Sequence, residues 1–157
     1  MPSKLTIQEG INEDQINELI KNTREDKAIQ KFTSDIKRFP NLASFRNWKK
    51  KKRLFVLTNN RKKLLGLIWF ESKKPPKDLI KKNSLCEITF AIRIYKQARG
   101  KGLAKWFMKK VFSQIPDRYI WLSTMYNNKT AINLYKQFGF KKSIKQKERI
   151  YMIYEKG

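Results

Sequence analysis

Apolar residues recur at two different spacings along this chain, and the switches between them lay out its elements. Leu5 and Ile7 alternate with polar neighbours and predict a short first strand. Ile11, Ile16, Leu19 and Ile20 form a helical stripe running to about Thr23, and Asn12 with Gln15 three positions on has the form of a capping box. Ile29, Phe32, Ile36 and Phe39 repeat at helical spacing, which predicts one helix stopped by Pro40. Leu42, Phe45 and Trp48 predict a further short helical piece, with Lys49-Lys50-Lys51-Lys52-Arg53 as its solvated basic end.

The second half reads in the same way. Leu54 to Thr58 is strand-like, Asn59-Asn60-Arg61 is a turn, and Leu64 to Phe70 is a strand apolar enough to be buried on both faces, so the two strands form a hairpin. Ser72 to Ser84 is a polar, basic connection containing Pro75-Pro76, either a plain solvated loop or a flap over a site. Leu85 to Ile94 is the next strand. Leu103, Trp106, Phe107 and Val111 mark a helix, Tyr119 to Thr124 a strand, and Ala131, Leu134, Tyr135 and Phe138 a helix with Gly139 at its C-cap. Phe140 to Ile144 and Ile150 to Tyr154 close the chain as strands. The sum is a mixed α/β fold of about seven strands and about four helices, with antiparallel hairpins early and one strand–helix–strand crossover late.

Composition narrows the chemistry. At 157 residues and 40% hydrophobic content, the chain suits a single domain, 1–157, with a core that needs no staples. It contains no histidine and one cysteine, Cys86. This excludes Ser-His-Asp and Cys-His catalysis, His-ligated zinc and multi-Cys metal sites, so no metal is expected. Cys86 itself reads as a small buried hydrophobe. Met1 to Gly10 has no apolar h-region and no run of 18 apolar residues occurs, which predicts a cytoplasmic protein without membrane contact. The formal net charge is +24. The first 27 residues hold six acids against four bases, so the excess lies in the remainder. Such a body attracts polyanions, RNA or a ribosome among them. With 28 lysines against nine arginines, compositional drift gives the same picture.

Arg99-Gly100-Lys101-Gly102-Leu103-Ala104 lies where a strand passes into a helix. Glycines there let the backbone turn tightly, and the first amides of the helix, unpaired and at the positive end of its dipole, suit a phosphate. The string is neither a Walker A loop nor a dinucleotide fingerprint, whose third glycine would fall at Lys105.

This string is similar to the Gln/Arg-x-x-Gly-x-Gly/Ala signature of the GCN5-related N-acetyltransferases (GNAT). Gln97 also stands three residues before Gly100, but Arg99 as first residue places Ala104 in the final small position. Trp121-Leu122-Ser123 with Asn128, Ala131, Leu134, Tyr135, Gly139 and Phe140 resembles that family's second motif, and the two motifs occur in the usual order.

The resemblance implies an N-acetyltransferase that moves acetyl from acetyl-CoA to a primary amine by direct attack in a ternary complex. The acceptor would be a protein N-terminus, a lysine or a small amine, with the acidic N-terminal helix as a candidate acceptor wall. The pyrophosphate would rest on amides from Gly100, Lys101, Gly102, Leu103 and Ala104, with Arg99 opening the motif. Backbone groups of Ile92, Arg93 and Ile94 would hold the pantetheine and direct an amide at the thioester oxygen. Asn128 would reach the cofactor, in addition to capping a helix. Tyr135 would protonate the leaving thiolate.

Glu87, in a Glu-Ile-x-Phe string like that of histone-acetylating relatives, is the candidate base, although its spacing to Arg99 is one residue shorter. Ser123 stands where ribosomal-protein-acetylating relatives carry a glutamate. A basic GNAT protein acting on aminoacyl-tRNA or a ribosomal protein, or binding without catalysis, is the alternative. The last two strands pair between subunits in some relatives, which leaves monomer or homodimer open.

Overall fold

The computed structural model describes residues 4–77 and 86–157. Its strands are β1 (Thr6–Glu9), β2 (Lys52–Thr58), β3 (Leu64–Ser72), β4 (Ile88–Ile94), β5 (Tyr119–Met125), β6 (Lys141–Gln146) and β7 (Arg149–Glu155). Its helices are α1 (Glu13–Glu25), α2 (Lys27–Phe32), α3 (Asp35–Arg38), α4 (Leu42–Lys49), α5 (Leu103–Phe112) and α6 (Lys129–Phe138), with a 3-10 turn at Lys96–Ala98. The strands form one sheet in the order β1-β2-β3-β4-β5-β7-β6. This is the expected mixed α/β fold with seven strands. No helix among the described residues is long and apolar enough to cross a membrane.

Six helices appear where about four were expected, and one of the additional ones has a local cause. The Ile29–Phe39 stripe is divided into α2 and α3 at Thr33. Thr33 Oγ1 donates to Ile29 O at 2.6 Å and accepts from Asp35 N at 3.1 Å. Ile29 O keeps its helical bond from Thr33 N, but the Asp35 amide, which a continuous helix would pair four residues back, is taken by the Thr33 hydroxyl. The basic run after α4 also divides. Lys52 and Arg53 open β2, with Lys52 over the Trp48 ring and Arg53 paired to Glu9 at 2.5 Å, so these two do not belong to a helix end.

Contacts gather into two compact units, one formed by the chain up to Trp69 with Ile92–Val111, the other by Phe70–Ala91 with Phe112–Gly157. In the first, α1 starts from the expected capping box: Gln15 N donates to Asn12 Oδ1 at 2.8 Å and Asn12 N to Gln15 Oε1 at 3.0 Å. Ile16, Leu19 and Ile20 bury its inner stripe. Leu64 to Trp69 are all buried, as the unbroken apolar run requires. Phe39, Phe45, Trp48 and Trp69 pack edge to face or tilted, with centroids 4.7–6.4 Å apart.

The second unit carries β5 and β7 antiparallel from Tyr119 opposite Glu155 to Met125 opposite Arg149, and β6 against β7 with an irregularity between Lys142 and Ile144. β4 meets β5 in parallel at Thr89 opposite Trp121, where Thr89 Oγ1 donates to Trp121 O at 3.0 Å. Parallel pairing across a helical connection is the predicted crossover. Phe70, Phe90, Phe112, Phe138, Phe140 and Tyr154 form its aromatic core. Of the expected Ser72–Ser84 connection and the strand from Leu85, residues 78–85 lie outside the described residues.

Candidate active site

In the first unit the chain leaves β4, makes the 3-10 turn, and enters α5 through Arg99 to Gly102. Gly100 and Gly102 sit at φ +75° and +70°, a backbone region costly for any residue with a Cβ. Neither glycine has an atom within 4 Å of where a Cβ would be, so backbone conformation, not space, requires them. Lys101 between them is not at positive φ. A turn with residues at positive φ on either side of Lys101 can present backbone amides to an anion. α5 is ten residues long with no acid in its first turn, so its positive end is unopposed. Leu103, Phe107 and Val111 are buried and fix the helix from beneath.

One bare position in β3 lets α5 sit where it does. A Cβ on Gly66 would lie 3.0 Å from Arg93 O, 3.1 Å from Ile94 Cδ1 and 3.3 Å from Phe107 Cε2.

The two arginines of this region have specific partners. Arg93 donates from Nε and Nη2 to the Asp35 carboxylate at 2.6 and 3.0 Å, and its guanidinium lies 4.7 Å from the Trp69 ring centre. Asp35 is 1% exposed and also accepts from Arg38 at 3.0 Å. Burial alone would raise the Asp35 pKa, but the guanidinium groups of Arg93 and Arg38 hold it below the ordinary carboxylate value. Arg99 donates from Nη1 and Nη2 to Asp26 at 3.1 and 2.6 Å and from Nε to Ile94 O at 2.9 Å. Arg93 Nη1 donates to Ile92 O at 3.0 Å. The carbonyls of Ile92 and Ile94 therefore each accept a hydrogen bond from a guanidinium group.

In the second unit Asn128 caps α6, its Oδ1 accepting from Ala131 N at 3.3 Å. Tyr135 is buried on the inner face of α6, its ring 6.2 Å from Phe90 and 5.8 Å from Phe140. α6 ends at Gly139, as expected. Glu87 is exposed and lies one residue ahead of β4, not within it. Ser123 is occupied by Arg149, which donates to Ser123 Oγ and Ser123 O, both at 3.0 Å. Cys86 is fully buried against Trp121.

The model of the Acetyltransferase (GNAT) family matches residues 17–140. The chain belongs to that family. Its fold is similar to spermidine N-acetyltransferase from Vibrio cholerae in a complex with CoA and spermine, with TM-score 0.70 and 20% identity over 97% of this chain and 94% of that one. A GCN5-related N-acetyltransferase from Kribbella flavida gives TM-score 0.71 at 13% identity over 99% of both chains. An N-acetyltransferase from Staphylococcus aureus Mu50 gives 0.68 at 18% over 98% and 99%. No curated protein matches the sequence.

Within the GNAT frame, the first unit brings together Ile92, Arg93, Ile94 and the whole Arg99–Ala104 string. The second holds Glu87, Asn128 and Tyr135. Sequence reading missed Asp26 and Asp35. Asp26 had a detectable signal, an acid just ahead of a new apolar stripe, which marks an N-cap. Its union with Arg99, 73 residues away, had none.

Proposed function

We propose that residues 1–157 act as one acetyl-CoA-dependent N-acetyltransferase domain for a primary amine. The observation that carries this reading is the glycine turn at φ +75° and +70° opening a ten-residue helix with no acid in its first turn. That arrangement fits a diphosphate, and the family match spanning both units supports one activity for the chain. Amides from Gly100 to Ala104 would hold the diphosphate, with Lys101 and Lys105 supplying positive charge, and backbone groups of Ile92 to Ile94 would hold the pantetheine. Bound acetyl-CoA supplies an activated acetyl thioester. Glu87, exposed one residue ahead of β4, is assigned to take the proton of the amine, which is otherwise charged at neutral pH. Tyr135 is assigned to protonate the departing thiolate, and Asn128 to contact the coenzyme.

The coenzyme reading is tested by melting the protein with and without acetyl-CoA. At 100 times the dissociation constant, binding adds about 2.7 kcal/mol. At this size that raises Tm by about 5–10 °C. An unchanged Tm at millimolar acetyl-CoA removes the reading.

The acceptor is narrowed by what the acids of the first 27 residues do. Glu9 pairs with Arg53, Glu13 with Arg46 and Asp26 with Arg99, and Glu18 accepts Leu64 N at 2.9 Å. Two of the four carboxylates of the anticipated wall, Glu13 and Glu18, are thus engaged inside the molecule, as are Glu9 and Asp26 on either side of the helix, while the net charge is +24. This favours a protein N-terminus, a lysine or an uncharged-bodied amine over a free polyamine. With spermidine as acceptor, kcat/KM is expected to rise as salt is raised from 50 to 300 mM, because screening relieves repulsion. A steep fall over the same range would show an acidic acceptor pocket and return polyamines to first place.

A further inference from the structure

The turn that opens α5 is built from the most permissive residues available. Two glycines in three positions give it the shape an anion needs, but they also give it the largest freedom to lose that shape. Something outside the turn must hold it. Arg99, immediately ahead of Gly100, has one face of its guanidinium on the end of β4, through Nε to Ile94 O at 2.9 Å. Its other edge forms the bidentate pair with Asp26. The Asp26 side chain is 4% exposed and that of Arg99 37%. Asp26 Oδ1 also accepts from Ala28 N at 3.1 Å and Ile29 N at 3.3 Å, the first free amides of α2. One carboxylate therefore joins the start of α2 to the residue that precedes the glycine turn. A guanidinium so engaged has its charge largely compensated and adds little field of its own at the turn.

We propose that Arg99 and Asp26 are a positioning pair. They brace the glycine turn in its anion-binding shape and carry coenzyme occupancy to α2. The inference rests on the acetyl-CoA reading above. It differs from a role in which Arg99 grips the diphosphate with its own side chain, and the two roles predict opposite signs for Asp26→Asn. If Arg99 contacts the anion directly, removing the Asp26 charge frees the guanidinium and tightens binding. If the pair is a brace, the same change loosens the turn and weakens binding. Asparagine keeps the cap oxygen for α2, so the helix start is preserved.

The experiment measures acetyl-CoA affinity by calorimetry for the wild type, Asp26→Asn, Arg99→Lys and the double variant. Lysine keeps the charge but loses the fork. Each single variant is expected to weaken binding about tenfold, and the double variant no more than the weaker single, as for two halves of one interaction. The loss should appear in KM for acetyl-CoA rather than in kcat. Hydrogen exchange supplies a readout that a merely structural role would leave alone. Bound acetyl-CoA should slow exchange at residues 27–32 in the wild type and not in Asp26→Asn. Equal or tighter binding by Asp26→Asn overturns the inference, as does an undiminished response of residues 27–32. Should Asp26→Asn fail to fold, hydrogen exchange in Arg99→Lys decides: loss of the coenzyme-induced slowing at residues 27–32 supports the brace, and an undiminished slowing overturns it. A wild type that does not bind acetyl-CoA removes the coenzyme reading itself, an outcome distinct from any of these.

Discussion

Tyr135→Phe is expected to lower kcat by about 10²–10⁴-fold, the range for loss of a positioned general acid, with acetyl-CoA affinity nearly unchanged. The ring is held by Phe90 and Phe140 in the aromatic core of its unit, contacts that phenylalanine keeps, so the variant removes a hydroxyl without removing packing. Steady-state rates with saturating acetyl-CoA, alongside direct binding of the coenzyme, check the split. A variant with wild-type kcat would show that the thiolate is protonated by another group, water included. A parallel loss of affinity would place the hydroxyl in binding rather than proton transfer.

Asp35→Asn carries the largest expected cost in stability. Asp35 is 1% exposed and holds Arg93, itself 13% exposed, through two short bonds. Removing one partner of a buried pair strands the other charge and costs about 3–5 kcal/mol. In a protein of this size Tm should fall by roughly 10 °C, which calorimetric or circular-dichroism melting will show. The sign of the pH dependence follows from the lowered pKa of Asp35. A carboxyl whose folded-state pKa is depressed contributes fully above its unfolded value of about 3.9 and loses that contribution as pH falls through the folded value. The gap between wild type and Asp35→Asn should therefore be constant near neutrality and close as pH is taken below about 4. A gap that persists unchanged into strong acid would mean that packing, not the ion pair, supports the difference.

Much of this molecule was legible in the sequence because the governing interactions are local. The capping box at Asn12 and Gln15 needs only three residues of separation, and it forms as read. The buried run from Leu64, the crossover into α5 and the Gly139 cap likewise depend on neighbours along the chain. What could not be read was decided by single side chains or by distant partners. Thr33 divides one apolar stripe into two helices with its own hydroxyl, although the stripe keeps helical spacing across the break. Lys52 and Arg53 look like the tail of a basic run until Trp48 and Glu9 supply their partners. At the candidate site the glycines announced themselves, since few residues tolerate such backbone angles. The carboxylates behind Arg93 and Arg99 did not, because ion pairing across tens of residues leaves no spacing to detect. Arg149 on Ser123 is of the same kind, a partner met only once β5 and β7 are aligned.

The bare strand position at Gly66 has a bearing on engineering. Arg93, Ile94 and Phe107 press in on the space that any larger residue there would need. A methyl group there would sit 3.0–3.3 Å from Arg93 O, Ile94 and Phe107, so the end of β4 and the inner face of α5 would both have to give way. Anyone transplanting the six-residue string from Arg99 to Ala104 into another scaffold would have to transplant this vacancy as well, because the string's address is written partly in a different strand.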